Sequence, residues 1–153
     1  MSESATPSDT RNLQILKLYI KDVSFESPMT PGIFQAQWNP QLDLKFNMET
    51  KKLDETNFEV TLGVTATASN DKGQTAFLVE LQQAGIFLIE GFNENEMDHL
   101  TKAYCPNILF PFAREAIADL STRGGFPPLV LQPVNFDAMY AQQKSGANGE
   151  AAH

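Results

Sequence analysis

The chain has 153 residues, about one domain at roughly 100–200 residues per domain, and long enough to fold without a disulfide or metal staple. Nineteen acidic against eleven basic residues leave a net charge of −8. That balance argues against a nucleic-acid or anionic-membrane surface, both of which need clustered Lys and Arg. The single cysteine, Cys105, excludes an intramolecular disulfide framework and fits a reducing compartment. The start MSESATPSDT has neither the basic opening nor the apolar stretch of a secretory signal, and no window approaches the roughly 18–20 apolar residues of a membrane helix. A cytoplasmic location is expected.

In chain order, residues 1–11 and 144–153 read as flexible tails around one domain at 12–143. LQILKLYIKDVSF (13–25) is strand-like, with apolar residues at both parities. This pattern predicts a central strand, or one covered by another subunit. A loop with Pro28, Pro31, Gly32 and Pro40 follows and holds Phe34 and Trp38, unusual content for a loop. Strict alternation then marks two antiparallel strands with one wet face, 42–49 (Leu42, Leu44, Phe46, Met48) and 58–68 (Phe58, Val60, Leu62, Val64). The turn SNDKGQ (69–74) leads to a fourth strand, 75–89. After Gly91 the period becomes helical. The spacing predicts a short acidic helix over 94–103, broken by Pro106. Asn107 is expected to cap a second helix, with Leu109, Phe112, Ala113, Ala116 and Leu120 in one stripe, Pro111 in its first turns and Gly124-Gly125 at its end. GGFPPLVLQPV (124–134) reads as an extended crossover. Asn135 is expected to cap a last helix with Phe136, Met139, Tyr140 and Gln143 on one face. Four strands followed by helices make an α+β fold, with helices on one face of an antiparallel sheet.

Signals for catalysis are weak. Cys105 and His99 lie six residues apart across a proline, and a lone cysteine is usually buried and inert. Two histidines and one cysteine cannot make a structural zinc site, and Glu94, Glu96 and Asp98 lack the spacing of a calcium loop. Neither an enzymatic activity nor a cofactor is expected. Two stretches ask for more. Residues 77–101 carry five acids (Glu80, Glu90, Glu94, Glu96, Asp98) and no base: a solvated face, or a docking face for a basic partner. Residues 124–136 hold no charge, and Phe126, Leu129, Val130 and Leu131 must be covered by the chain itself, by a groove occupant or by another subunit.

Four segments, YIKDVSFESP (19–28), LVELQQAGIF (78–87), YCPNILFPFARE (104–115) and FPPLVLQPVNFDAMY (126–140), resemble the SecB family of bacterial protein-export chaperones. The resemblance spans about 13–140. It implies a four-stranded antiparallel sheet with helices on one side, assembled as a dimer of dimers, with the first strand and the long helix building subunit interfaces. Family members hold precursor proteins unfolded in the cytoplasm, without ATP or a metal of their own, and pass them to the export ATPase SecA. The resemblance implies a client groove lined by Phe34, Trp38, Leu42, Leu44, Met139 and Tyr140. It places the contact with SecA's basic, zinc-bearing carboxyl-terminal tail on the outer sheet surface, at Asp22, Glu26, Leu78 and Glu80. On that reading Glu94, Glu96 and Asp98 revert to solvation. The competing expectation is a small-molecule-binding α+β protein with an apolar pocket between sheet and helices. A third, an antitoxin-linked or dedicated-client chaperone of the same fold, would be suggested by loss of Asp22, Glu26 or Glu80, and all three are present.

Overall fold

Alternation of apolar and polar residues builds four strands: β1 (Asn12–Glu26), β2 (Gln41–Lys52), β3 (Asn57–Ser69) and β4 (Thr75–Glu90). They form one antiparallel sheet in the order β1-β4-β3-β2 in a computed structural model that describes residues 10–151, the side chains of 146–151 excepted. Tight turns link β2, β3 and β4 as a meander. At Ser69–Thr75 the Asn70 carboxamide accepts from the amides of Lys72 and Gln74, and Gly73 takes a positive φ of 78°. The β1–β2 connection instead crosses from one sheet edge to the other, through a 3-10 turn at Gly32–Gln35.

Strand β1 is an edge strand, which corrects the expectation of a central one. Its pairing with β4 slips twice, between Ile15 and Lys17 and between Ile20 and Asp22. Each slip is one extra residue, and each reverses the parity of the residues beyond it. Leu13 and Ile15, then Leu18 and Ile20, then Val23 and Phe25 therefore pair beside Ile89, Phe87, Gly85, Gln83, Leu81 and Val79, all on the helix-side face. Apolar residues at both parities reflect two bulges, not two buried faces.

The helical region opens at α1 (Glu94–His99), where Asn93 and Glu96 form a reciprocal capping box. It continues through a π-helical stretch, Leu100–Tyr104, into α2 (Cys105–Arg123) without a break. Pro106 does not end a helix, and Asn107 caps nothing. The Cys105 amide reaches back five residues to the Leu100 carbonyl, so the hydrogen-bond ladder changes register just before Pro106, where a missing N–H costs least. Pro111 consequently lies in the helix interior, with its ring exposed. The expected stripe is also revised: Leu109, Ala113 and Ala116 are buried with Phe110 and Ile117, whereas Phe112 faces outward, 47 % exposed. Gly124 and Gly125 close α2 as expected, the latter at φ 93°.

Residues 124–135 return as extended chain, and α3 (Phe136–Ala151) follows, its first turn held by the Asn135 carboxamide accepting from the Ala138 amide. The stretch read as a tail from 144 belongs in part to this helix: Ala141, Gln142, Gln143 and Lys144 are good helix formers continuing from a capped start. The remainder of both expected tails, 1–9 and 152–153, lies outside the described residues. Helix α2 packs on β3 and β4, burying Val60, Leu62, Val64, Leu81 and Phe87 against Leu109, Ala113 and Ile117. Among the described residues the opposite sheet face carries no helix.

Candidate functional site

The helix-side face divides into a packed centre and two uncovered margins. At the end of the sheet where α2 stops, aromatic rings gather around Phe126: Phe77 at 4.9 Å, Trp38 at 5.2 Å, Phe34 at 5.3 Å and Phe25 at 6.4 Å between centroids. Phe126 is buried and ties the β1–β2 crossover to the 124–135 return. The two glycines serve this junction. A Cβ on Gly124 would stand 2.3 Å from the Phe25 ring, and one on Gly125 2.9 Å from Phe34. Buried Ser121 adds a polar stitch, donating its hydroxyl to the Ile117 carbonyl and accepting from the Leu129 amide at 2.8 Å. Phe126, Leu129 and Leu131 are thus covered by the chain itself, while Val130 remains exposed.

From this junction an apolar margin runs along edge strand β2. Phe34, Leu42 and Leu44 are exposed, Trp38 is half-buried, and the line continues to Phe46, which meets Phe136 at 6.1 Å and, through it, the start of α3. Met139 and Tyr140 lie one turn further, half-buried at the opposite end of the sheet from Phe34. They are therefore separated from Phe34 and Trp38 by the length of β2 rather than clustered with them. Tyr140 donates to Asp98 at 2.8 Å, and Asp137 accepts from Asn107 at 3.2 Å and lies 2.7 Å from His99. The Lys102 ammonium, with the Tyr140 hydroxyl behind it, holds the Asp98 carboxyl below its ordinary range. Polar bonds as well as apolar contacts thus seat α3. Beside the crossover, between Trp38, Met29 and Ile33 and the Asn70–Lys72 turn, the surface opens a depression of about 410 Å³. A second margin follows edge strand β1, where Ile15, Leu16, Ile20 and Val23 are exposed.

The uncovered sheet face is polar. Its register sets Asp22 beside Gln82, Ser24 beside Glu80 and Glu26 beside Leu78, so Asp22, Glu26, Leu78 and Glu80 share one face at one end of the sheet. Further along, Lys21 pairs with Glu59 at 2.8 Å and Tyr19 donates to the same carboxylate. Those bonds keep Glu59 below the usual carboxylate range. Partial burial, reinforced by Glu59, pushes the Tyr19 phenol up to about 12.

Cys105 is buried, and burial pushes its thiol up to about 12, far from a reactive thiolate. Among the described residues no group of His, Cys, Asp and Glu could hold a metal ion. Nothing supports a small-molecule reading: among the described residues the space between sheet and helices is filled by Phe77, Phe87, Leu62, Leu109 and Ile117. No helix of the described chain is long and apolar enough to cross a membrane. Sequence reasoning missed Phe126 as the aromatic hub and Ser121 as its anchor. The charge-free stretch around Phe126 was a signal; an isolated serine in a helix offers none.

The model of the SecB family, described as preprotein translocase subunit SecB, matches residues 6–147. Curated relatives named protein-export protein SecB include that of Legionella pneumophila strain Philadelphia 1, 54% identical over 89% of this chain and 83% of the relative. That of Methylococcus capsulatus is 51% identical over 92% of this chain and 90% of its own length. A solved structure of the SecB-like chaperone of Mycobacterium tuberculosis, in complex with a ChAD peptide from an antitoxin, superposes with a TM-score of 0.68 at 21% identity, covering 80% of this chain and 90% of that one. The four-stranded sheet with its helices is the fold of that structure, and the chain belongs to the SecB family of protein-export chaperones.

Proposed function

We propose that this protein keeps unfolded precursors translocation-competent in the bacterial cytoplasm without ATP, and delivers them to SecA. The observation that carries the proposal is the division of the sheet: an apolar, helix-side margin at Phe34, Trp38, Leu42 and Leu44, and an acidic opposite face at Asp22, Glu26 and Glu80. Clients occupy the margin, with Met139 and Tyr140 at its far end; the exposed backbone edge of β2 offers strand-like pairing to any extended sequence. The SecA tail docks on the acidic face, where charge complementarity raises on-rate and specificity.

A magnitude explains why several copies are needed. Full burial of a large apolar side chain is worth about 1.5–3 kcal/mol. Half-exposed Phe34, Leu42, Leu44 and Val130 thus offer about 3–6 kcal/mol together. Ordering the client backbone costs about 1–2 kcal/mol per residue, so one margin holds a short segment weakly. A homotetramer, a dimer of dimers in which the β1 margin and α2 are covered by neighbouring copies, links four margins and gains effective concentration along a long client.

The test is refolding of a chemically unfolded secretory precursor. Near-stoichiometric tetramer slows refolding by withdrawing the unfolded ensemble; unchanged kinetics in excess chaperone would refute the proposal. Glu80→Lys abolishes SecA binding and spares client binding. Equal loss of both would mean that the substitution damaged the fold.

A further inference from the structure

The three carboxylates of α1 have three different surroundings. Glu94 forms no ion pair with any described residue. Glu96 is engaged locally, closing the Asn93 capping box and pairing with Arg11 at 3.0 Å. Asp98 turns toward α3 instead: one oxygen takes the Lys102 ammonium at 2.7 Å, and the other accepts the Tyr140 hydroxyl at 2.8 Å. That bond matters because α3 has a slender seat. The helix packs chiefly on the π-helical stretch. Phe136 is its one buried residue among the side chains described, Met139 and Tyr140 are half-buried, and residues 141–145 are exposed. Helical order in a protein comes mostly from packing an apolar face, and past Tyr140 the described part of α3 packs none. The polar hold is directional. Lys102 occupies one side of the Asp98 carboxylate and leaves the other oxygen for the phenol, a hydrogen bond of the stronger, charge-assisted kind. The Tyr140 ring is then bracketed by a T-shaped contact with His99 at 5.5 Å and by the Lys144 ammonium 5.5 Å from its centroid.

We propose that Asp98 is a positioning residue for the client margin: through the Tyr140 hydroxyl it fixes the rotation of α3 and so presents Met139 at the margin's far end. This rests on the client reading above and adds to it a residue that no client touches. Neighbouring residues on a helix point about 100° apart, so anchoring Tyr140 sets the direction of Met139. Met139, unbranched and adaptable, is the side chain left to meet varied apolar sequences. Asp137 restrains the helix as well, with Asn107 and His99 at its two oxygens, but it holds the first residues of α3, whereas Tyr140 lies three residues further on. Turns of the π-helical kind recur at functional sites, and this one carries Lys102 while receiving α3 on its surface. The two ends of the margin therefore differ in what fixes them. The Phe34–Trp38 end is held by the rings around Phe126, and the far end by one hydroxyl on one carboxylate.

The experiment uses the full chain and two probes. One is a chemically unfolded precursor, long enough to span the margin. The other is a peptide of about five residues from it, which covers about 17 Å as a strand and is read by the emission of Trp38, at the near end. Asp98→Ala and Tyr140→Phe should each release the precursor about five- to tenfold faster, the loss of one hydrogen bond to a charged group, and leave the peptide's affinity unchanged. The double variant should release it no faster than either single one, because both remove the same bond. Met139→Ala should speed release in the parent chain and add little to Asp98→Ala. Glu94→Gln, from the same acid-rich stretch, should match the parent. Unchanged precursor release in Asp98→Ala and Tyr140→Phe overturns the positioning role. An effect of Tyr140→Phe alone overturns it too, because the hydroxyl would then act on the client directly. Equal losses for precursor and peptide with a lowered urea midpoint would make Asp98 a residue of general stability instead. Failure of the parent chain to bind either probe would remove the client reading and this inference together.

Discussion

Replacing Phe126 by Ala tests whether the crossover is anchored by one ring or by many. Phe126 is 5 % exposed and touches four other aromatic rings; Phe34, the outermost of them, is 49 % exposed and is paired with Phe126 alone. A buried Phe→Ala change costs about 3–5 kcal/mol, and aromatic pairs add about 0.5–1.5 kcal/mol each, so Phe126→Ala belongs near the upper end, at about 4–5 kcal/mol. Phe34→Ala, half-solvated already, should cost about 1 kcal/mol. Against a stability of about 5–15 kcal/mol the first variant stays folded at room temperature with a much-reduced margin. Urea unfolding at equal protomer concentration reads the difference: with a slope of about 2 kcal/mol per molar, the midpoint falls by about 2 M for Phe126→Ala and by about 0.5 M for Phe34→Ala. Trp38 is the chain's sole tryptophan, stacks on Phe77 and packs at a tilt against Phe126, so its emission should shift to the red in the first variant before any unfolding. Equal midpoint shifts in the two variants, or an unmoved Trp38 emission, would refute the idea that Phe126 organises the crossover.

Ser121→Ala leaves the buried Leu129 amide without its acceptor, a loss of about 1–3 kcal/mol, visible as faster hydrogen exchange across 126–131. Tyr19 has its folded pKa raised from 10.0 to about 12, so its contribution is complete below pH 10 and is lost as pH rises from there through 12; Tyr19→Phe should flatten that alkaline limb of the urea midpoint. Glu59 and Asp98 are shifted the other way, contributing above their ordinary values of 4.5 and 3.8 and losing that contribution as pH falls through their depressed folded values; Glu59→Gln should blunt the acid limb. Cys105 should react with a thiol reagent only at the rate of unfolding, and fast labelling of the native protein would contradict its burial.

The sheet was legible where one residue alternates with the next. Strands β2 and β3 run without bulges through their apolar sets, so a period of two maps directly onto faces. Strand β1 hid its geometry because the two extra residues cancel in count while inverting the parity between them, and pattern alone reads that as two apolar faces. The helices failed at Pro106 for a related reason: a π-helical stretch moves the gap in the ladder to where the proline needs it, and nothing in composition announces the change of register. Of the candidate site, the acids on β1 and β4 were recoverable from spacing because no bulge falls between Asp22 and Glu26 or between Leu78 and Glu80. The division of eleven phenylalanines was not. Phe77, Phe87, Phe110, Phe126 and Phe136 are buried and Phe34 and Phe112 are exposed, a split set by where α2 and the return segment lie rather than by neighbours in sequence.

The bare face of the sheet has a kinetic consequence. On the proposed arrangement, with clients on one side of a single layer of strands and the SecA tail on the other, the two would not compete for space. On that arrangement the tail would never evict a client by taking its place. Release would then come either from a change in client affinity transmitted through the strands, reciprocal for the two partners, or from the ATPase pulling the chain away. A client's dissociation rate should then level off once the tail peptide saturates its face, whereas direct displacement would keep accelerating with concentration.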